Sequence, residues 1–68
     1  MMMMKRRDLL SRLKRAARDL GVDYSTEEGG RHTRVSVGGN TTFVPRHNEI
    51  GEKLAKEIMK QAKGEDTK

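Results

Sequence analysis

Cysteine, tryptophan and long hydrophobic runs are absent from this chain of 68 residues, and proline, tyrosine and phenylalanine occur once each. Without cysteine there is no thiolate nucleophile, no thiolate zinc ligand and no disulfide to stabilise a small secreted module. No apolar run approaches the roughly 18–20 residues needed to span a bilayer. The four N-terminal methionines precede Lys5-Arg6-Arg7, the reverse of the order in a signal peptide. We therefore expect a cytoplasmic protein without a membrane partner.

Apolar residues are scarce as well, at 32% of the sequence including the methionine run. A chain of this size and composition supports one small core and excludes a large enzyme with a deep pocket. We expect a single domain over residues 1–68, with residues 1–4 and 65–68 frayed.

Positive charge, in contrast, is plentiful. The chain has 15 Lys and Arg against 10 Asp and Glu, a net charge of +5, and the whole excess lies in residues 1–20. Charge concentrated in this way favours a polyanionic partner, either a nucleic acid or a strongly acidic protein. A solvated helix face that keeps a small protein soluble is the alternative interpretation.

Hydrophobic periodicity predicts a helix near each end of the chain. In residues 5–20 the apolar side chains recur at helical spacing, and Gly21 follows where helices commonly end in the left-handed conformation. Apolar positions in residues 54–62 indicate a second helix that begins near residues 48–49 and stops at Gly64.

Between the helices the period of the pattern changes to two, which is typical of β-strands. Three such runs cover residues 22–26, 33–37 and 41–44, and the pairs Gly29-Gly30 and Gly38-Gly39 separate them with hairpin-turn chemistry. The order predicts an α+β fold, α-β-β-β-α, with a three-stranded antiparallel sheet and two helices on one face. That layout buries the few apolar residues most economically.

The two aromatic residues, Tyr24 and Phe43, are expected in this core. If both are buried, the protein lacks the aromatic platforms on which unpaired bases usually stack. Its basic charge then favours recognition of a phosphate backbone over reading of bases. On the first helix, Arg7, Lys14 and Arg18 share a stripe without a carboxylate and are expected to contact phosphates. Nothing in this stripe distinguishes RNA from DNA.

Candidate catalytic groups are few, since no phosphate-binding glycine motif is present and the only imidazoles are His32 and His47. His32 alternates out of phase with the apolar positions of its strand, so its side chain is expected beside Arg34 on the other face of the sheet. Imidazole suits proton transfer near neutral pH, and RNA carries its own nucleophile in the 2′-hydroxyl. The alternatives are an exposed turn histidine without function at His32 and a capping or packing role for His47.

Three segments together resemble the HicA toxins of type II toxin–antitoxin systems. They are Lys5-Arg6-Arg7-Asp8-Leu9-Leu10 at the start of a helix, Gly30-Arg31-His32 at the start of the second strand, and Val44-Pro45-Arg46-His47 before the last helix. The resemblance covers about residues 4–63. It implies a fold similar to double-stranded-RNA-binding domains, an mRNA endoribonuclease that blocks translation, and a cognate HicB-type antitoxin that inhibits it. It also implies that His32 is the active-site histidine.

One position departs from the family pattern, because Arg31 lies where the family often has a small residue. Its guanidinium either binds the scissile phosphate or marks a chain that has drifted from the usual site.

The resulting hypothesis is a metal-independent endoribonuclease without a cofactor, with His32 as general base. The residues expected to bind the RNA are Arg31, Arg34, Arg46, His47, Arg7, Lys14 and Arg18. We expect the antitoxin to contact the region of His32, Arg34 and Arg46. Two alternatives remain, a non-catalytic RNA- or DNA-binding module of the same fold and an inert partner of an acidic protein.

Overall fold

A computed structural model describes residues 3–64 of the chain and has an α+β architecture. The predicted order of helix, three strands and helix is confirmed, and two short strands are added to it. The elements are β1 (Met3–Lys5), α1 (Arg6–Leu20), β2 (Tyr24–Glu28), β3 (His32–Val37), β4 (Asn40–Pro45), β5 (Glu49–Gly51) and α2 (Glu52–Lys63).

Strands β2, β3 and β4 form an antiparallel sheet with β3 in the centre. The turn between β3 and β4 is tight, and Gly38 adopts a φ of 62° there, a conformation that other residues rarely enter. Because side chains alternate along a strand, this register gives the sheet two different faces. Thr33, Val35 and Val37 are buried on one face, and His32 and the residues in phase with it lie on the other.

Both helices cover the same face of the sheet, as the sequence predicts. The apolar stripe of α1 and that of α2 meet the buried side chains of β3 and β4, and burial of such stripes is the main source of stability in a domain of this size. The core consists of Leu9, Leu13, Ala17, Val35, Val37, Val44, Ile50, Ala55, Ile58 and Ala62. The face that carries His32, called the open face below, is covered by neither of the two helices found in residues 3–64.

The last helix begins later than the sequence indicates, and the N-terminus is more ordered. Met3 and Met4 were expected to fray, but they belong to β1, which pairs antiparallel with β5 and places Met4 opposite Ile50. Ile50 is buried, and Gly51 before α2 has extended backbone angles. A strand of three residues is too short to show periodicity, so its pairing could not be predicted. The expected fraying at residues 1–2 and 65–68 lies outside the described residues.

The prediction that Phe43 is a core residue is wrong, because 55% of its surface is exposed. Its neighbours Thr42 and Val44 are the buried residues of β4, so Phe43 necessarily projects from the open face. Tyr24 is half-buried against the core, and its hydroxyl donates a hydrogen bond to the carbonyl oxygen of Leu10 at 3.4 Å. Burial raises the pKa of Tyr24 above 10.0, and the positive charge of Arg6 partly opposes that effect.

Candidate active site

His32 is the first residue of β3 and lies exposed on the open face of the sheet, opposite Pro45 of β4. Two concavities of about 360 and 290 Å³ meet at its side chain, and Arg31 lines both of them as well. The larger one extends towards Arg34 and Phe43, and the smaller one towards Pro45, Arg46 and His47. Among the described residues, nothing forms a hydrogen bond with the His32 imidazole, so both ring nitrogens are available to a substrate.

The loop before His32 is held by three hydrogen bonds. The backbone NH of Gly29 donates to the carbonyl oxygen of His32 at 2.9 Å, and that of Arg46 donates to the carbonyl oxygen of Arg31 at 3.3 Å. The Arg46 guanidinium donates to the carbonyl oxygen of Gly29 at 2.9 Å. A Cβ atom at Gly29 would lie only 3.0 Å from the His32 carbonyl oxygen, so glycine permits this close approach. Arg46 therefore holds this loop through its bond to Gly29 in addition to lining the smaller concavity.

Positive charge surrounds His32, and only part of it is balanced. Arg34 lies 3.5 Å from a carboxylate oxygen of Glu27, and Arg46 lies 3.6 Å from one of Glu28. Both pairs are about half exposed or more, and pairs of this kind contribute only about 0–1 kcal/mol, so an anionic ligand can compete for the arginines. Within residues 3–64, Arg31 has no carboxylate oxygen within 4.0 Å.

Arg6, which the sequence analysis did not single out, supports the site from the core side of the sheet. Its guanidinium donates to the carbonyl oxygen of Pro45 at 3.2 Å and to the hydroxyl of the buried Thr33. That hydroxyl in turn donates to Glu28 at 3.0 Å, and Arg6 lies 3.9 Å from the same carboxylate. One side chain therefore connects the start of α1 with all three strands next to the loop of His32.

A signal for this role exists in the sequence. Arg6 precedes Leu9 by three residues and Leu13 by seven, so it lies on the buried stripe of α1 instead of its polar face. A charge on such a stripe requires a partner, because burial of an unpaired charge is costly.

Replacement of Arg6 tests this support. We expect Arg6→Ala to lower the free energy of unfolding by about 1–3 kcal/mol, because the Pro45 carbonyl and the Thr33 hydroxyl lose a charged donor. Arg7→Ala is the matched control, since Arg7 is exposed, and should change the free energy by less than about 0.5 kcal/mol. Urea unfolding followed by circular dichroism measures both values. Equal stability of the two variants would contradict the assigned role of Arg6.

The structure brings together only part of the predicted RNA-binding set. Arg31, Arg34, Arg46 and His47 share the two concavities with His32. The remaining three residues, Arg7, Lys14 and Arg18, are exposed on α1, which packs on the opposite face of the sheet and contributes nothing to either concavity.

Two further properties of residues 3–64 bear on the site. No group of three or more His, Cys, Asp or Glu side chains is arranged to hold a metal ion in this part of the chain. Neither of its helices is long and apolar enough to cross a membrane.

Comparison with protein families identifies a match that covers most of the chain. Residues 10–63 match the model of the HicA toxin of bacterial toxin–antitoxin systems, and this range includes His32, the loop before it and both concavities. Comparisons with curated proteins and with solved structures gave no match. Because the matched range covers most of the 68 residues, the chain belongs to the HicA family of toxins of bacterial toxin–antitoxin systems.

Proposed function

We propose that this protein is a metal-independent endoribonuclease that cleaves mRNA in the cytoplasm and thereby blocks translation, with His32 as the general base. The observation that carries the proposal is an exposed imidazole between two concavities, with arginines around it. Shallow concavities on an open sheet face suit a long polymer substrate better than a small molecule, which is usually enclosed in a pocket. Membership of a toxin family supports the same function.

The chemistry needs only what the substrate and this face supply. His32 removes the proton of a ribose 2′-hydroxyl, whose oxygen then attacks the adjacent phosphorus. The bond from phosphorus to the 5′-oxygen breaks, and that oxygen takes up a proton from the imidazolium or from water. The products are a 2′,3′-cyclic phosphate and a free 5′-hydroxyl. Positioned acid–base catalysis of this kind typically contributes about 10²–10⁴-fold in rate.

The arginines near His32 stabilise the negative charge that builds up on the phosphate in the transition state. Arg31 is the best placed of them, because it lines both concavities and lacks an ion pair among the described residues. Arg34, Arg46 and His47 bind the phosphates on either side. Arg7, Lys14 and Arg18 act at longer range, where their charge attracts RNA to the protein.

A cognate HicB-type antitoxin inhibits the toxin by covering His32, Arg34 and Arg46. His32 and Arg34 lie exposed on the open face, and Arg46 is exposed just after the end of β4, so a partner can reach all three without any rearrangement of the core. A partner that binds only the folded state also stabilises it, by RT ln(1 + [L]/Kd).

The proposal is tested by cleavage of a single-stranded RNA in EDTA, beside a DNA strand of the same sequence. We expect the RNA to be cut and the DNA to remain intact, because DNA lacks the attacking 2′-hydroxyl. Fragments of the RNA should end in a 2′,3′-cyclic phosphate. Cleavage of both strands, or cleavage that stops in EDTA, would refute the mechanism. Strong, salt-dependent RNA binding without cleavage would instead support the non-catalytic binding module.

A further inference from the structure

Phe43 is the only phenylalanine of the chain and projects from the open face, where 55% of its surface is exposed. It lies directly opposite Arg34 in the register of β3 and β4, and His32 is its diagonal neighbour across the same strand pair. On β3 and β4 the face is shared by the polar or charged residues His32, Arg34, Ser36 and Thr41 and by Pro45. On β2 the acidic Glu27 lies opposite Arg34.

A single exposed apolar residue is common on protein surfaces and needs no explanation by itself. Phe43 differs because its ring lines the same concavity of about 360 Å³ as Arg31 and His32. Phe43 also borders a third concavity, of about 540 Å³, which lies at the end of the sheet near Asn40 and Gly64 and does not include His32. Phe43 therefore lies between the candidate catalytic residue and this further concavity.

We propose that Phe43 stacks on an unpaired base of the RNA, next to the phosphate that His32 and Arg31 contact. This inference rests on the proposed function of the site and assigns a substrate class to it, RNA that is single-stranded at the point of cleavage. Aromatic rings hold unpaired bases by stacking, which tolerates any sequence because every base has a flat π-face.

The register places the two contacts at a suitable separation. Diagonal neighbours on one face of an antiparallel pair are about 7–8 Å apart, a distance that long and aromatic side chains can bridge. A nucleotide whose base lies on Phe43 therefore extends its sugar and phosphate towards His32. A base within a duplex is stacked on its neighbours and paired with the other strand, so it cannot lie on the ring at the same time.

The guanidinium opposite Phe43 strengthens this interpretation. Arg34 is exposed, and among residues 3–64 its one ion pair is the surface pair with Glu27. Such a pair contributes little stability, so a phosphate can replace Glu27 as the partner of Arg34. Phe43 and Arg34 together provide an apolar contact for a base and a cation for the backbone, the usual combination in proteins that bind single strands.

The inference is tested with a strand that binds but cannot be cut. We suggest a short, fluorescently labelled 2′-O-methyl RNA, in which the attacking hydroxyl is blocked, and a second 2′-O-methyl strand with abasic sugars throughout. Fluorescence anisotropy gives the affinity of each strand. We expect Phe43→Ala to weaken binding of the first strand by about 5- to 150-fold and to leave binding of the abasic strand unchanged. Leu20→Ala is the matched control, because Leu20 is equally exposed on α1, and should affect neither strand.

A spectroscopic measurement separates stacking from simple contact. The chain has no tryptophan, so Phe43→Trp introduces a single indole at this position. We expect this variant to bind like the wild type, and its fluorescence to be quenched by the strand with bases but not by the abasic strand.

The inference would be overturned if Phe43→Ala lost affinity equally for both strands, or if its affinity for the strand with bases were unchanged. It would also be overturned if the wild type did not bind the strand with bases. An unchanged affinity would leave Phe43 as a contact for a protein partner. A separate assay of cleavage of ordinary RNA by the wild type distinguishes failure of this inference from failure of the proposed function. If RNA is cut but Phe43→Ala binds normally, the proposed function stands and the inference fails. If the base-dependent loss is seen without cleavage, stacking is upheld and the nuclease proposal fails.

Discussion

His32→Ala is expected to slow cleavage of single-stranded RNA by about 10²–10⁴-fold, the usual contribution of a positioned general base. The variant loses the group that deprotonates the 2′-hydroxyl but keeps the arginines that bind the phosphate. Its affinity for an uncleavable 2′-O-methyl strand should therefore remain close to that of the wild type. Single-turnover cleavage with excess protein measures the chemical step without a contribution from product release.

The matched control is His47→Ala, which removes the other imidazole of the chain from the same small concavity. We expect it to weaken RNA binding while the rate at saturating protein changes little. The His32 side chain is exposed and lacks a hydrogen bond to any residue from 3 to 64, so circular dichroism of His32→Ala should show an intact fold. If His32→Ala is folded and cuts RNA at the wild-type rate, His32 is not the general base.

The largest expected loss of stability follows from Leu13→Ala. Leu13 is fully buried where α1 packs on the sheet, and truncation of such a leucine costs about 2–5 kcal/mol. A single core in a chain of this size rarely supplies more than about 3–5 kcal/mol in total. We therefore expect Leu13→Ala to be largely unfolded at physiological temperature, in thermal unfolding followed by circular dichroism.

Leu20→Ala provides the comparison, since it makes the same chemical change seven residues later on the same helix. Leu20 is 55% exposed, and its truncation should shift the free energy of unfolding by less than about 0.5 kcal/mol. Similar losses at both positions would show that α1 does not pack through the stripe that contains Leu13.

The periodic part of the fold was predictable from single residues and their spacing. Leu9, Leu13 and Ala17 recur along one helical face, and Thr33, Val35 and Val37 recur with the period of a strand, so both elements and their buried faces follow from the pattern. Aperiodic features did not follow from it. The pairing of β1 with β5 joins residues more than forty positions apart, and its strands are only three residues long.

At Phe43 the residue type led to a wrong prediction of burial, whereas the alternation of buried and exposed positions along the strand gives the right one. An aromatic residue in an apolar run was assigned to the core, although the alternation in β4 buries Thr42 and Val44 instead. The error matters for function. With Phe43 assigned to the core, no exposed aromatic ring was expected, and recognition of the phosphate backbone was therefore favoured over contacts with bases.

By itself the sequence determined the helices, the three long strands and the exposure of His32, because each of these depends on local spacing along the chain. Only the tertiary structure decided which charges accompany His32. Arg46 reaches the loop across the sheet, Arg6 reaches it from α1, and both contacts span residues distant in sequence. The same packing places α1 on the far face, so Arg7, Lys14 and Arg18 line neither of the two concavities next to His32. Helical spacing shows which residues share a stripe, whereas the packing of the helix on the sheet decides which surface that stripe faces.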